Sequence, residues 1–222
     1  MNVKNDIIDK KNINYVISIL NNSYNITNIF FKFFDNILYS KNLLGNKILF
    51  LCNNDNEYIG MLIYEINKFD KFSIVTIEEL CIIKKYKLNG FSKILLNSLL
   101  NKINKKYKNC YLATIICDLR SLSNDFINYE ILYPYVNKSN DDSIIKIINT
   151  SKSIIIKWYM IEMDKQNGIY HIPFYKNNET YKIFNSKTNK LNSRQQELKK
   201  FLKDKKYYLG YGIGVFYILK IC

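Results

Sequence analysis

The chain has 222 residues, 48% of them hydrophobic and 15% aromatic, which is enough to bury a sizeable core and too apolar for a disordered tract. No segment approaches the roughly 18 consecutive apolar residues of a membrane helix, so no membrane span is expected. The formal net charge of +14 allows a polyanionic partner, whether nucleic acid, an anionic membrane surface or the phosphates of a cofactor. Part of that lysine accompanies an equally heavy load of asparagine and isoleucine, so residue usage accounts for some of the charge.

The opening stretch "MNVKNDIIDKKN" has no apolar run followed by small residues, which gives no secretory signal and an expected intracellular site. Residues 11–45 read as two helices, with Tyr15, Ile19, Phe30, Phe33, Phe34 and Leu38 at helical spacing and a break near "NNSYNITN". "KILFLC" (47–52) and "YIGMLIYEI" (58–66) flank the polar "NNDNE" and predict an antiparallel hairpin. "FSIVTIEELCII" (72–83) is a third strand, rich in β-branched residues, that runs into the turn "KKYKLNGFS".

An amphipathic helix over 91–105 follows, with Ile94, Leu95, Leu99 and Ile103 on one face, and "CYLATIICD" (110–118) is the next strand. Strand, helix and strand at this spacing form a βαβ crossover, which predicts parallel strands at 72–83 and 110–118. "SNDFINYEILYPYV" reads as helix up to Pro134, "IIKII" and "SIIIKWYMIEM" as one or two strands, and 164–191 as loop around the island "IYHIPFY". "SRQQELKKFLKD" (193–204) makes a short serine-capped helix, and the last eight residues a buried strand. The expected fold class is α/β: a mixed central sheet of six or seven strands with flanking helices, in one domain covering 1–222.

Cys52, Cys81, Cys110, Cys117 and Cys222 form no CxxC pair, so neither disulfides nor a metal site is expected. His171 is the one histidine, and a hydrolase-type triad would have to rest on it alone; it is read as structural.

A strand that ends in a glycine-bearing turn feeding a helix can bind phosphate, because successive backbone N–H groups and the helix dipole converge on one anion. Residues 87–92, "KLNGFS", occupy that position. Acyltransferases of the Gcn5-related fold carry R/Q-x-x-G-x-G/A there, and Lys87, Gly90 and Ser92 resemble that pattern. The resemblance implies a Gcn5-related acyl-CoA transferase fold, with a core over about 12–150. It assigns the donor to Cys81, Ile82, Lys87, Leu88, Asn89, Gly90, Phe91, Ser92 and Lys93. In such folds a bulge on the preceding strand exposes N–H groups to the thioester oxygen, and Glu79 and Leu80 are expected there.

The stretch "IEELCIIKKYKLNGFSKILLNSLLNKIN" (77–104) is similar to a narrower family, the glycylpeptide N-myristoyltransferases, in which "LCV" leads into paired lysines, the phosphate loop and a helix. Leu80, Cys81, Lys84, Lys85 and Asn104 coincide with that pattern. "ILNNSYNITNIFFKF" (19–33), "EYIGMLIYEI" and the C-terminal "FLKDKKYYLGYGIGVFYILKIC" resemble further stretches of the family, in order. The chain has room for one Gcn5-like half plus an extension, 151–222, like the end of those enzymes.

This resemblance implies transfer of a myristoyl group from myristoyl-CoA to the N-terminal glycine of a peptide or protein. The Cys222 carboxylate would accept the amine's proton, and Gly210, Gly212 and Gly214 would lie against the peptide backbone. Glu78 is the alternative base. The small size, residue usage and eukaryote-type family imply a monomer from a large DNA virus, such as an insect poxvirus, acting in host cytoplasm. Three other readings stay open: an acetyl-CoA-dependent acetyltransferase of a small amine or lysine, a non-catalytic acyl-CoA-binding protein, and last nucleic-acid binding, for which no aromatic-basic platform argues.

Overall fold

The computed structural model describes residues 1–23, 43–116, 130–133, 141–159, 162–164, 169–171, 196 and 213–222. The chain divides into two compact units, Met1–Cys110 and Tyr111–Cys222. Strands and helices alternate in both, so the α/β class expected from the sequence is present.

The first unit holds strands β1 (Asn2–Ile7), β2 (Lys47–Cys52), β3 (Tyr58–Lys68) and β4 (Ser73–Ile82), with helices α1 (Ile13–Ser23) and α2 (Phe91–Lys106). The strands pair antiparallel in the order β1-β2-β3-β4. The β2–β3 hairpin forms where the sequence placed it, because Asn53 builds the turn: its Oδ1 accepts the N–H of Asp55 and of Glu57, both at 2.9 Å. β1 was not expected; its polar residues are mostly exposed, and backbone pairing to β2 along Asn2–Ile7 holds it at the sheet edge.

Consecutive residues Ile48–Cys52 and Ile59–Tyr64 are buried, so both faces of the sheet are covered. Ser23, at the end of α1, hydrogen-bonds the Cys81 thiol, and Cys81 sits opposite Met61. Tyr64, three residues on and therefore on the other face, accepts a 2.8 Å hydrogen bond from Lys102 of α2. The two helices thus lie on opposite faces. α1 buries Val16, Ile19, Leu20 and Ser23, and α2 buries Leu95, Leu96, Leu99, Leu100 and Ile103. Each large apolar side chain so covered contributes roughly 1.5–3 kcal/mol. Lys102 also reaches Asn5 of β1, which ties helix, central strand and edge strand together.

The second unit holds β5 (Cys110–Ile116) apart from its first residue, β6 (Glu130–Tyr133), α3 (Asp142–Tyr159), β7 (Glu162–Asp164), β8 (Ile169–His171) and β9 (Ile213–Lys220). β9 is its axis: β5 pairs antiparallel along one edge, β6 and then β8 along the other, and β7 pairs with β8. Here the sequence reading needs correction. Residues 142–159 are helix rather than strands, 130–133 are strand rather than helix, and β8 forms inside the expected loop, so the described residues hold nine strands rather than six or seven. The isoleucines of α3 favour strand by type, but a cap decides the matter: the Asp141 carboxylate accepts hydrogen bonds from the Ser143 N–H (2.8 Å) and hydroxyl (2.6 Å) ahead of the helix. Phe30, Phe33, Phe34 and nearly all of the expected helix over 193–204 lie outside the described residues.

Candidate active site

β4 leaves the sheet through a tight chain of backbone hydrogen bonds. Ile83 N–H donates to Ile59 O (2.9 Å), and a 3-10 turn over Lys84–Tyr86 closes with Tyr86 N–H to Ile83 O (2.9 Å) and Lys87 N–H to Lys84 O (3.2 Å). The chain then enters the left-handed region twice, at Leu88 (φ 70°) and at Gly90 (φ 72°), before α2 begins. Lys93 N–H turns back to Gly90 O at 3.1 Å. The backbone N–H groups of Leu88, Asn89, Gly90, Phe91 and Ser92 have no acceptor among the described residues. They sit at the positive end of a 16-residue helix with no acidic residue in its first turn.

Glycine adopts the left-handed region freely; leucine does so at a penalty of roughly 1–2 kcal/mol. Leu88 is also 97% exposed, so no packing gain offsets that strain. Strained residues of this kind cluster at binding and catalytic sites. Lys84, Lys85, Lys87 and Lys93 are all exposed around it.

Lys87 reaches away from the loop: its ammonium donates to the carbonyl of Ser23, an end-of-helix acceptor of α1. It therefore anchors the loop to α1 while adding positive charge to the site. Beneath it, burial pushes the Cys81 thiol well up, the Glu79 charge pushes it further, and the Ser23 hydrogen bond and Lys87 oppose. Such a thiol is inert.

Upstream on β4, the pairing with β3 slips: Ile63 faces Glu79 and Tyr64 faces Ile77, so Glu78 is an inserted, bulged residue. The expected bulge at Glu79 and Leu80 therefore lies one residue earlier. Glu78 is 5% exposed and accepts a 2.8 Å hydrogen bond from Asn46 Nδ2. Burial pushes its carboxyl from an ordinary value of 4.5 up to about 8, the Glu65 charge adds to that, and the Asn46 hydrogen bond opposes it. A carboxylate this basic on the strand feeding the loop can take a proton near neutral pH.

Neither a protein-family model nor a curated protein sequence matches this chain. Solved structures similar to it include three N-acetyltransferases. NAA60 of Arabidopsis thaliana, in complex with a bisubstrate analogue, is 13% identical at a TM-score of 0.41, covering 61% of this chain and 91% of its own. The ribosomal-protein-S18-alanine N-acetyltransferase of Escherichia coli is 11% identical at a TM-score of 0.45, covering 99% and 94%. The PaiA N-acetyltransferase of Thermoplasma acidophilum, in complex with coenzyme A, is 13% identical at a TM-score of 0.42, covering 63% and 95%. At these scores the reading of the loop rests on the chain's own geometry.

The structure brings Glu78, Glu79, Leu80, Cys81 and Ile82 onto one strand and Lys87, Leu88, Asn89, Gly90, Phe91, Ser92 and Lys93 onto the loop and helix that follow it. Glu79 and Leu80 are half-buried. In the second unit, Gly214 pairs with Tyr170 inside the β8–β9 ladder, and Cys222 is half-buried just beyond β9. Gly210 and Gly212 lie outside the described residues. Sequence reasoning missed Asn46, Glu65 and Thr76, which flank Glu78. For Glu65 and Thr76 the available signal was a polar residue between apolar or aromatic strand neighbours; Asn46, between Gly45 and Lys47 ahead of β2, carried no such signal.

Proposed function

We propose that this chain is an N-acyltransferase that moves an acyl group from a coenzyme A thioester to an amine. The observation that carries the reading is the run of five unaccepted N–H groups at 88–92 on the strand–loop–helix unit that also carries the basic carboxyl of Glu78. Those groups would hold the donor's diphosphate, with the surrounding lysines balancing its charge.

The acceptor must lose a proton before it attacks, because an N-terminal amine with a pKa of about 7.7–8.0 is largely protonated at neutral pH. Glu78, at about 8, is matched to it, so proton transfer runs nearly level. The amine nitrogen then forms the new C–N bond, the C–S bond breaks, and the thiolate of coenzyme A leaves and takes up a proton. We place the backbone at Glu79 and Leu80 against the thioester oxygen, where N–H groups beside the bulge would stabilise the developing charge. Glu78 rather than the Cys222 carboxylate is the base in this account, since it shares a strand with the loop.

The finer reading, myristoyl-CoA as donor and N-terminal glycine as acceptor, is supported by the sequence resemblance alone. Acetyl transfer to a small amine uses the same residues. Thiol release with acetyl-CoA and with myristoyl-CoA, each offered a glycine-starting peptide and a diamine, tests both. Release from either donor that falls at least about a hundredfold in Glu78→Gln supports the transferase. No release from any combination, with the thioesters intact, would refute it.

A further inference from the structure

The β3–β4 turn and the segment that follows α2 meet at one end of the first unit. Phe69 N–H closes the turn on Phe72 O at 2.9 Å. Asn109 ties the turn to the helix side: its Nδ2 donates to Lys71 O at 3.4 Å, and its carbonyl accepts Ser73 N–H at 3.1 Å. Asn109 lies in the left-handed region (φ 51°), which asparagine tolerates better than most residues. Two stretches distant in sequence, 68–72 and 105–109, are thereby held together, so no single stretch of sequence displays the surface they make.

That surface is cationic and aromatic at once. Lys68, Lys71, Lys105, Lys106 and Lys108 are exposed, and none has an ion-pair partner among the described residues. Asp70 is the one carboxylate in the two stretches. Phe69 stacks on Phe72 with ring centroids 4.9 Å apart and planes 28° apart, and it stays 39% exposed. The Lys68 and Lys106 ammoniums lie 5.6 and 5.9 Å from the centre of the Tyr107 ring.

Lysines in the last turn of a helix complement its dipole, which accounts for Lys105 and Lys106. It does not account for Lys68, Lys71 and Lys108, nor for a stacked, exposed ring at the tip of the turn. Clustered like charges attract a polyanion. A single-stranded nucleic acid matches best, because lysines track its phosphates while a base stacks on an aromatic face. An anionic membrane matches less well: Phe69 is the one exposed large apolar side chain in the two stretches, and Asp70 sits beside it.

We propose that 68–72 and 105–109 form a binding site for single-stranded nucleic acid, with Phe69 as the stacking platform and the five lysines on the phosphates. The site is at the far end of α2 from the loop at 88–92, and a 16-residue helix spans roughly 24 Å. It is independent of the acyl-transfer reading, and nucleic-acid binding without any acyl transfer leaves it standing.

The test is fluorescence anisotropy of labelled uridine RNA and thymidine DNA dodecamers titrated with the full chain. Saturable binding is expected, with the logarithm of the association constant falling against log salt at a slope of about −3, and the tighter of the two strands names the source. Phe69→Ala should weaken binding about fivefold or more and Phe69→Trp should retain it. Lys68→Gln with Lys71→Gln should make the slope shallower by about 1, whereas the control pair Lys10→Gln with Lys11→Gln, ahead of α1, leaves affinity and slope nearly unchanged. Saturating coenzyme A should leave the oligonucleotide bound. Absence of binding, equal affinity in Phe69→Ala, or displacement by coenzyme A overturns the inference. Binding to phosphatidylserine vesicles that Phe69→Ala abolishes, with no oligonucleotide binding, assigns the surface to a membrane and overturns it as well.

Discussion

The buried carboxyl of Glu78 makes stability depend on pH in a direction opposite to that of ordinary surface acids. Its ordinary value is 4.5 and the fold raises it to about 8, so between those limits the folded chain holds one proton more than the unfolded chain. Stability therefore falls as pH rises through this window and levels off above it. At about 1.36 kcal/mol per pH unit, the difference amounts to roughly 4–5 kcal/mol at full expression. Glu78→Gln keeps the shape and an acceptor for Asn46 but has no proton to lose. Urea unfolding of both proteins, followed by far-ultraviolet circular dichroism from about pH 4.5 to about pH 9, isolates the effect, because titrating groups not coupled to Glu78 cancel in the comparison. The variant should gain on the wild type by an amount on the order of 4 kcal/mol across that range. A gap that stays constant within about 1 kcal/mol would refute both the burial of an ionisable Glu78 and its use as a base.

Other substitutions probe the scaffold. A Cβ at Gly60 would clash with Ile82 Cδ1 and meet the Cys81 carbonyl at 3.0 Å, and only the former can move aside. Gly60→Ala should lose roughly 1–3 kcal/mol by chemical denaturation, and unchanged stability would show that β3 and β4 are not this close. Leu88→Gly should gain about 1 kcal/mol by relieving the left-handed strain at φ 70°, and a loss in the same assay would contradict the loop conformation. Lys87→Ala should lose about 0.5–1.5 kcal/mol with the cap on Ser23 and weaken coenzyme A binding, whereas a change in binding alone would detach Lys87 from α1.

The first unit was largely legible in the sequence. The β2–β3 hairpin, β4, the loop and α2 fall close to where periodicity and turn residues put them, because local signals agreed with the final packing. β1 escaped notice because its polar residues form an edge strand, whose stability comes from pairing that sequence does not display. α3 was misread because residue type was weighed above spacing. Ile144, Ile147, Ile148, Ser151 and Ile155 recur at intervals of three and four, and Asp141 supplies the cap. The short strand at 130–133 is held by register with β9, over eighty residues away in sequence, which no local pattern encodes.

The loop was readable as a motif, since Lys87, Gly90 and Ser92 stand at the spacing a phosphate site needs. Its companions were not. Asn46 and Glu65 come near Glu78 only through the pairing of β2, β3 and β4, and a one-residue slip would send the Glu65 side chain to the opposite face. The bulge that inserts Glu78 is such a slip, and it explains why the sequence reading put it one position late.

The most direct test of the central claim is the amide spectrum of ¹⁵N-labelled protein titrated with coenzyme A. The account predicts saturable shifts at the N–H groups of Leu88, Asn89, Gly90, Phe91 and Ser92, with little change at the β2–β3 turn. A titration in which those five amides stay still while coenzyme A binds elsewhere, or does not bind, would contradict it.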